Sequence, residues 1–294
     1  MFEFSAADSL GSRPHSDIAQ YLLDIGATEQ AAPYLSGAVE AQGMGMPAQA
    51  YKPTGMVVGF IEATGNAGSE VAIAPAASLR ADHDLIGKRI KITLDRFYVE
   101  SYPGLGEHTV VCEFNGKNQV TPEAEALKFA TQLRVRDKSA AAVMNAPVFL
   151  GLTVPPDGLA FEGRTYNIRS AGSDAILETL DSAVFRAGLS LLNTAQPALK
   201  PFVSLATGTM KLLANSGKNA QVHSFSLGLD FAERQTSISL RRGTYVVVQT
   251  DESDWDWSNY TWDLHAMRLN DRRLEPQNSI GYNYTAIGVS HFAA

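Results

Sequence analysis

The chain has 294 residues, 45% of them apolar and 19% charged, so it can bury one large β domain or two ordinary domains and is too apolar to be disordered. Its net charge of −7 argues against nucleic acid as a partner, because an acidic surface repels a phosphate backbone. No run of residues approaches the ~18 consecutive apolar positions of a membrane-spanning helix, so no transmembrane segment is predicted.

The single cysteine, Cys112, rules out an intramolecular disulfide and any metal site built from several cysteines. The amino-terminal stretch shows no basic start followed by an apolar run, and so no signal peptide is predicted. Both features favour a reducing compartment, and we expect a cytoplasmic protein.

Residues 1–54 are predicted to form an amino-terminal arm with one short helix. Ser16 is placed to cap this helix, and Gly26 to end it. The apolar positions recur at helical spacing and form one stripe, which comprises Ile18, Tyr21, Leu22 and Ile25. An arm of this kind either packs on its own domain or reaches a neighbouring subunit.

Residues 55–172 have the alternating pattern of a first group of β-strands. In 88–102, Ile90, Ile92 and Leu94 alternate inward before the phase changes, which predicts a bulge near Asp95–Arg96. The stretch 126–137 keeps a period of two over ten residues, as expected for a strand with one solvated face. The turn sequence "PPDG" joins the last two strands of the group.

The period changes to that of helices in 173–217, which we predict to be a helical hairpin inserted between the strand groups. Its first helix should run for about five turns behind an Asp174 cap, and Pro201 should lie in the opening turn of the second. Both helices are more apolar than a helix with one exposed face requires. The hairpin therefore lies across an open sheet face or is buried against another chain.

Strands resume in 218–294 and complete the predicted fold, in which 243–250 is a strand buried on both faces. We predict a mainly β protein, an antiparallel β-sandwich that is either one large sandwich or two stacked ones, interrupted by the helical hairpin. The order of the strands loosely resembles that of C2-like and other calcium- or ligand-binding sandwiches. Such a likeness concerns architecture and implies little about function.

The stretch "DESDWDWSNYTWD", residues 251–263, contains all three tryptophans and is predicted to be an acidic loop between two strands. One interpretation makes Trp255, Trp257 and Tyr260 a platform for a glycan or a partner protein, because large aromatic rings are rigid anchors. A second makes a Ca²⁺ site of three carboxylates, which belong to Asp251, Asp254 and Asp256. In a third, the tryptophans lie in the core and the aspartates face water.

Catalytic motifs find little support. The sequence has no G-x-S-x-G elbow, and none of the histidine spacings is typical of a metal site. His108 and Cys112 share a strand face but are separated by ~13 Å along it, too far for a thiolate–imidazole pair. No cofactor is predicted, with Ca²⁺ in the 251–263 loop as the one alternative.

Three functional hypotheses follow. The first is a non-enzymatic interaction or self-assembly protein that binds a protein partner or copies of itself. The second is a ligand-binding module that uses the 251–263 loop for a glycan or for a contact assisted by Ca²⁺. The third is a hydrolase whose site is assembled from residues far apart in the sequence.

Overall fold

A computed structural model describes residues 3–36, 49–63, 68–118, 125–170, 173–190, 200–232, 234, 236–275 and 280–293. The chain is mainly β, with 42% strand against 22% helix, and its sheets are almost entirely antiparallel, which confirms the predicted fold class. Two short pairs are the parallel exceptions among the described strands, β10 with β8 and β11 with β12.

The described helices and strands follow one another in a simple order. The amino-terminal helices are α1 (His15–Asp24) and α2 (Thr28–Leu35). The first strands are β1 (Met56–Glu62), β2 (Glu70–Ala72), β3 (Ala74–Pro75), β4 (Arg89–Val99), β5 (Glu107–Asn118), β6 (Glu125–Arg136), β7 (Ser139–Ala140), β8 (Ala146–Thr153) and β9 (Leu159–Ile168). The central region contains α3 (Asp174–Leu180), α4 (Ala183–Arg186), β10 (Leu189–Ser190) and α5 (Lys200–Ala214). The last strands are β11 (Ala220–Asp230), β12 (Ile238–Ser239), β13 (Gly243–Gln249), β14 (Tyr260–Asp263), β15 (Arg268–Asp271) and β16 (Tyr284–His291).

Three sheets are built from these strands. The eight-stranded sheet has the order β10-β8-β4-β16-β13-β1-β3, with β7 also paired to β4. The five-stranded sheet has the order β12-β11-β9-β5-β6, and the small sheet the order β15-β14-β2. Strands from both sequence groups pair with one another, since β1 lies beside β13 and β4 beside β16.

The eight-stranded sheet is buried on both faces along its middle strands. In β13, Tyr245 and Val247 belong to a large hydrophobic cluster that also contains the inward side chains of the five-stranded sheet. The residues that alternate with them, Val246 and Val248, belong to a second cluster, which includes side chains of the small sheet. The sequence-based prediction that this strand is buried on both faces is therefore confirmed.

The predicted bulge in β4 is confirmed. Arg96 pairs with Ala286 and Leu94 pairs with Ile287, so Asp95 is the extra residue between them. Its carboxylate accepts hydrogen bonds from the hydroxyls of Thr93 (2.6 Å) and Thr244 (3.1 Å). The bulge lets residues on both sides of the phase change point into the core.

The amino-terminal arm differs from the prediction in two ways. It contains a second helix, α2, and α1 begins at His15 after Pro14, so Ser16 lies inside the helix and does not cap it. The described part of the arm packs on its own domain. Its buried residues in the large cluster are Leu10, Ile18, Ala19, Tyr21, Leu22, Ala27, Ala31, Tyr34 and Tyr51.

The predicted five-turn helix is wrong in extent, whereas α5 confirms the second helix of the hairpin. The first helix is interrupted after Leu180, and the chain turns at Gly188 into β10. Gly188 has φ of +75°, and a Cβ atom there would lie 2.7 Å from the Pro147 carbonyl oxygen. Pairing with β8 therefore overrides the helical period at this point.

The central helices pack against the edge strand of the five-stranded sheet. The helices α3, α4 and α5 all contact β6, the twelve-residue strand at that edge. Their apolar side chains join the large cluster together with Leu127 and Phe129 of β6. Among the described residues, no helix is both long and apolar enough to cross a membrane.

Candidate functional site

The structure brings together the three aromatic residues proposed as a binding platform, but it buries two of them. Trp257 and Tyr260 are buried in the second cluster, where Trp257 fits against the backbone of Gly59. A Cβ atom on Gly59 would lie 2.8 Å from the Trp257 ring. These two residues therefore support the small sheet from within and present little surface to a ligand.

Trp255 is the half-buried member of the group. Its ring stacks on Tyr260 with centroids 4.4 Å apart and planes inclined by 1°, and it meets the ring of Tyr282 edge-on. Tyr282 is also half-buried, and its hydroxyl donates a hydrogen bond to the exposed carboxylate of Glu252. Trp255 and Tyr282 thus form a small aromatic surface beside the carboxylate of Glu252. The buried ring of Tyr260 packs against this surface from the core side.

The three aspartates proposed as calcium ligands bind separate local partners. Asp251 accepts hydrogen bonds from the N–H groups of Thr54 (3.0 Å) and Gly55 (2.6 Å). Asp256 accepts from the hydroxyl and the N–H of Ser258, and these bonds lower the pKa of its carboxyl.

Asp254 is exposed and accepts one hydrogen bond from Ser253. Within the described ranges, no three acidic, histidine or cysteine side chains are grouped so that they could hold a metal ion. The structure therefore does not bring the three carboxylates together, and the calcium site stays a prediction.

A buried polar cluster that the sequence patterns did not reveal lies at one end of β5. His108 is fully buried, with Nε2 2.9 Å from Asp137 and Nδ1 2.6 Å from the guanidinium of Arg169. Because a guanidinium can only donate, Nδ1 must accept and Nε2–H must donate to Asp137. The imidazole is thereby fixed as one neutral tautomer that ties the ends of three strands together.

Cys112 and His223 are two further groups that could take part in catalysis, and both are buried in the core. Burial raises the pKa of the Cys112 thiol, which favours the unreactive protonated form. His223 is buried, its Nε2–H donates to the carbonyl of Gly55 (3.3 Å), and burial lowers its pKa to about 4. The contacts of Cys112 and His223 support the packing of the core. The hydrolase hypothesis stays a prediction.

The helix α5 has a second exposed apolar feature. One side of the helix, with Ala206, Met210 and Leu213, is buried in the large cluster. On another side Leu205 and Leu212 are 47% and 61% exposed, and Gly208 lies between them with open space around its Cβ position. Residues three and seven apart share a helix face, so these three residues form a continuous stripe, called the α5 stripe below.

No family model, curated protein or solved structure matches this chain. The described surface offers two features suited to binding, the α5 stripe and the Trp255–Tyr282 surface. Both can bury an apolar group, and neither contains an activated nucleophile.

Proposed function

We propose that the chain is a non-enzymatic interaction protein that associates with copies of itself through the α5 stripe. The observation that supports this most strongly is the pair of exposed leucines, Leu205 and Leu212, on a helix whose other side is already buried in its own core. Removing an apolar stripe from water is favourable, and a well-anchored helix can present such a stripe to a partner. We assign the protein to the cytoplasm as part of the same proposal, since its single cysteine is unpaired.

The stripe is suited to a two-fold contact between identical helices. In such a pair the same surface meets itself, so the two leucines of one copy can flank Gly208 of the other. The missing side chain at Gly208 allows the helices to approach closely there. The charged residue beside the stripe, Lys211, repels its counterpart in the other copy, which keeps the contact reversible.

The test is the native mass measured by light scattering over a range of concentrations. We expect the wild-type chain to pass from monomer to dimer as its concentration rises, and added salt to strengthen the dimer by screening Lys211. Leu212→Glu should keep the chain monomeric, whereas Leu35→Glu, at an equally exposed leucine on α2 (63%), should leave the dimer intact. A wild-type chain that stays monomeric at all concentrations would contradict the proposal.

The Trp255–Tyr282 surface supports a second candidate function, the binding of a glycan or another flat ligand. Stacking on a half-buried tryptophan beside a carboxylate can hold a sugar ring, because the indole ring contributes apolar contact and the carboxylate accepts hydrogen bonds from the sugar hydroxyls. Tryptophan fluorescence should then shift with a glycan panel in the wild type and not in Trp255→Phe. Titration with Ca²⁺ and EGTA in the same assay tests the metal-assisted form of this hypothesis.

A further inference from the structure

The outer face of the five-stranded sheet has a polar surface that binds part of the chain's own amino-terminal arm. In β5, Cys112 and Phe114 point into the large cluster, so the alternating residues Glu113 and Asn115 point to the opposite face. Both of these polar residues are buried nonetheless, at 2% and 7% exposure. What covers this part of the face is the tripeptide Glu3–Ser5.

Side chains of the sheet bind the backbone of this tripeptide at three points. The carboxylate of Glu162 on β9 accepts hydrogen bonds from the N–H of Glu3 (2.8 and 3.0 Å) and from the N–H of Phe4 (3.3 Å). The amide of Gln221 on β11 donates to the carbonyl of Ser5 (2.8 Å). These bonds fix an extended backbone without adding it to the sheet as a strand.

The sheet also binds the acidic side chain of the segment, Glu3. The carboxylate of Glu3 lies 2.6 Å from Lys128 Nζ on β6, and it accepts a hydrogen bond from Asn115 (3.1 Å). Lys128 is 15% exposed and Glu3 58%, so this ion pair is shielded from solvent on the lysine side only. An acidic residue is therefore favoured at this position of the bound segment.

The aromatic side chain of the segment, Phe4, lies under the guanidinium of Arg164. The Phe4 ring is 8% exposed, with the Arg164 guanidinium 4.2 Å from its centroid. Arg164 is held by an ion pair of 2.6 Å with the buried carboxylate of Glu113. A cation in such a fixed position over a ring attracts it and selects for aromatic side chains.

We propose that this surface is a peptide-recognition site for an acidic residue followed by an aromatic one, and that it also accepts the Glu3–Ser5 segment of a second copy. This inference rests on the proposed self-association, to which it adds a second contact. Five side chains of the sheet make these contacts, and the same contacts can form when the segment comes from another copy. The five belong to Asn115, Lys128, Glu162, Arg164 and Gln221. Reciprocal exchange of identical segments is a low-cost route to a dimer, since both sites stay filled.

Exchange requires the single 3-10 turn at Ala6–Asp8 to uncoil. Ala6, Ala7 and Asp8, which join the bound tripeptide to the rest of the arm, are exposed, whereas Ser9 and Leu10 are fully buried. The five residue steps from Phe4 to Ser9 can span about 17 Å when extended. Two copies must therefore approach with their Ser9 regions near each other's site.

The first experiment measures binding of a fluorescein-labelled peptide with the sequence of residues 3–8 by anisotropy. In the wild-type chain the attached segment competes at an effective concentration on the order of millimolar. We expect the Phe4→Ala chain to bind the peptide at least tenfold more tightly than the wild type, and the Phe4→Ala, Glu162→Gln double variant to lose this binding. Binding by Phe4→Ala that is no better than that of a scrambled peptide overturns the site.

The second experiment tests exchange between full-length copies in a Leu212→Glu background, which removes the α5 contact. One copy carries Phe4→Ala, with an intact site, and the other carries Glu162→Gln, with an intact segment. Sedimentation should show a complex in the mixture and none in either copy alone. A mixture that stays monomeric refutes exchange, while the dimer through α5 is judged separately by light scattering on the wild type.

Folding of each variant is checked by circular dichroism, and Phe4→Leu replaces Phe4→Ala if the latter unfolds. Phe4→Leu retains an apolar side chain under Arg164 but loses the ring. It should weaken the attached segment and so increase peptide binding relative to the wild type. Wild-type peptide affinity in Phe4→Leu would contradict recognition of the aromatic ring.

Discussion

Burial of His223 should make the stability of the fold depend on pH between about 4 and 6.5. Its imidazole lies in the core with a native pKa of about 4, against 6.5 in a solvated chain. In that interval the unfolded chain binds more protons than the folded one, so stability is fully present above pH 6.5 and is lost as the pH falls towards 4. At pH 5 the difference amounts to about 2 kcal/mol, and the full shift is worth roughly 3 kcal/mol.

Urea unfolding at pH 7 and pH 5, followed by tryptophan fluorescence, measures this loss. Carboxylates titrate in the same interval, so the informative quantity is the difference between the wild type and His223→Gln. The glutamine amide can still donate to the carbonyl of Gly55, which His223 does in the folded chain. We expect the wild type to lose about 2 kcal/mol more than the variant between the two pH values. Equal losses in both proteins would refute the assignment of a buried, neutral His223.

The remaining predictions concern the 251–263 segment and α5. Gly59→Ala should destabilise the fold by about 1–3 kcal/mol in urea unfolding, because the new methyl group would collide with the Trp257 ring, whereas Gly208→Ala in open helix surface should stabilise it by about 0.5–1 kcal/mol. A Gly59→Ala chain as stable as the wild type would mean that Trp257 is not packed against β1. Asp251→Ala should cost about 1 kcal/mol through the loss of hydrogen bonds to Thr54 and Gly55, and Asp254→Ala should be neutral within ~0.5 kcal/mol. If Ca²⁺ stabilises the wild type and both variants abolish that effect, the two carboxylates share an ion and their separation is wrong.

The strands were the most predictable part of the fold, because period-two alternation is a local signal. The bulge at Asp95 is the sharpest case, since the change of phase between Leu94 and Phe97 is visible in the sequence alone. The burial of β13 on both faces was likewise visible as a continuous apolar run.

The predictions that were wrong or incomplete involve contacts distant in sequence. The helical period after Asp174 continued past Gly188, but pairing with β8 placed that glycine in a left-handed conformation. The second amino-terminal helix was missed because it contains Pro33, which normally disfavours a helix interior. Tertiary packing outweighed local propensity in both places.

The candidate sites were predictable only in part. Sequence spacing indicates the 251–263 aromatics, but only the structure shows that Trp257 and Tyr260 are buried and that Trp255 is half-buried. The site for Glu3–Ser5 could not be predicted, because its residues come from four strands and an arm more than 100 positions away. The local spacing of residues in the sequence carries no signal for contacts between such distant segments.

The distance between spin labels in two copies would test the proposed self-association through α5 most directly. Ser204→Cys places one label on the exposed surface of α5, and the native thiol Cys112 is buried and so escapes labelling. In a two-fold antiparallel pair centred on Gly208, the labels should be about 15–30 Å apart, given the rise of a helix and the spacing of packed helices. Pulsed dipolar spectroscopy is expected to give this distance at concentrations where light scattering shows a dimer. Association through α5 would be contradicted by a dimer in which all distances between the labels exceed about 50 Å.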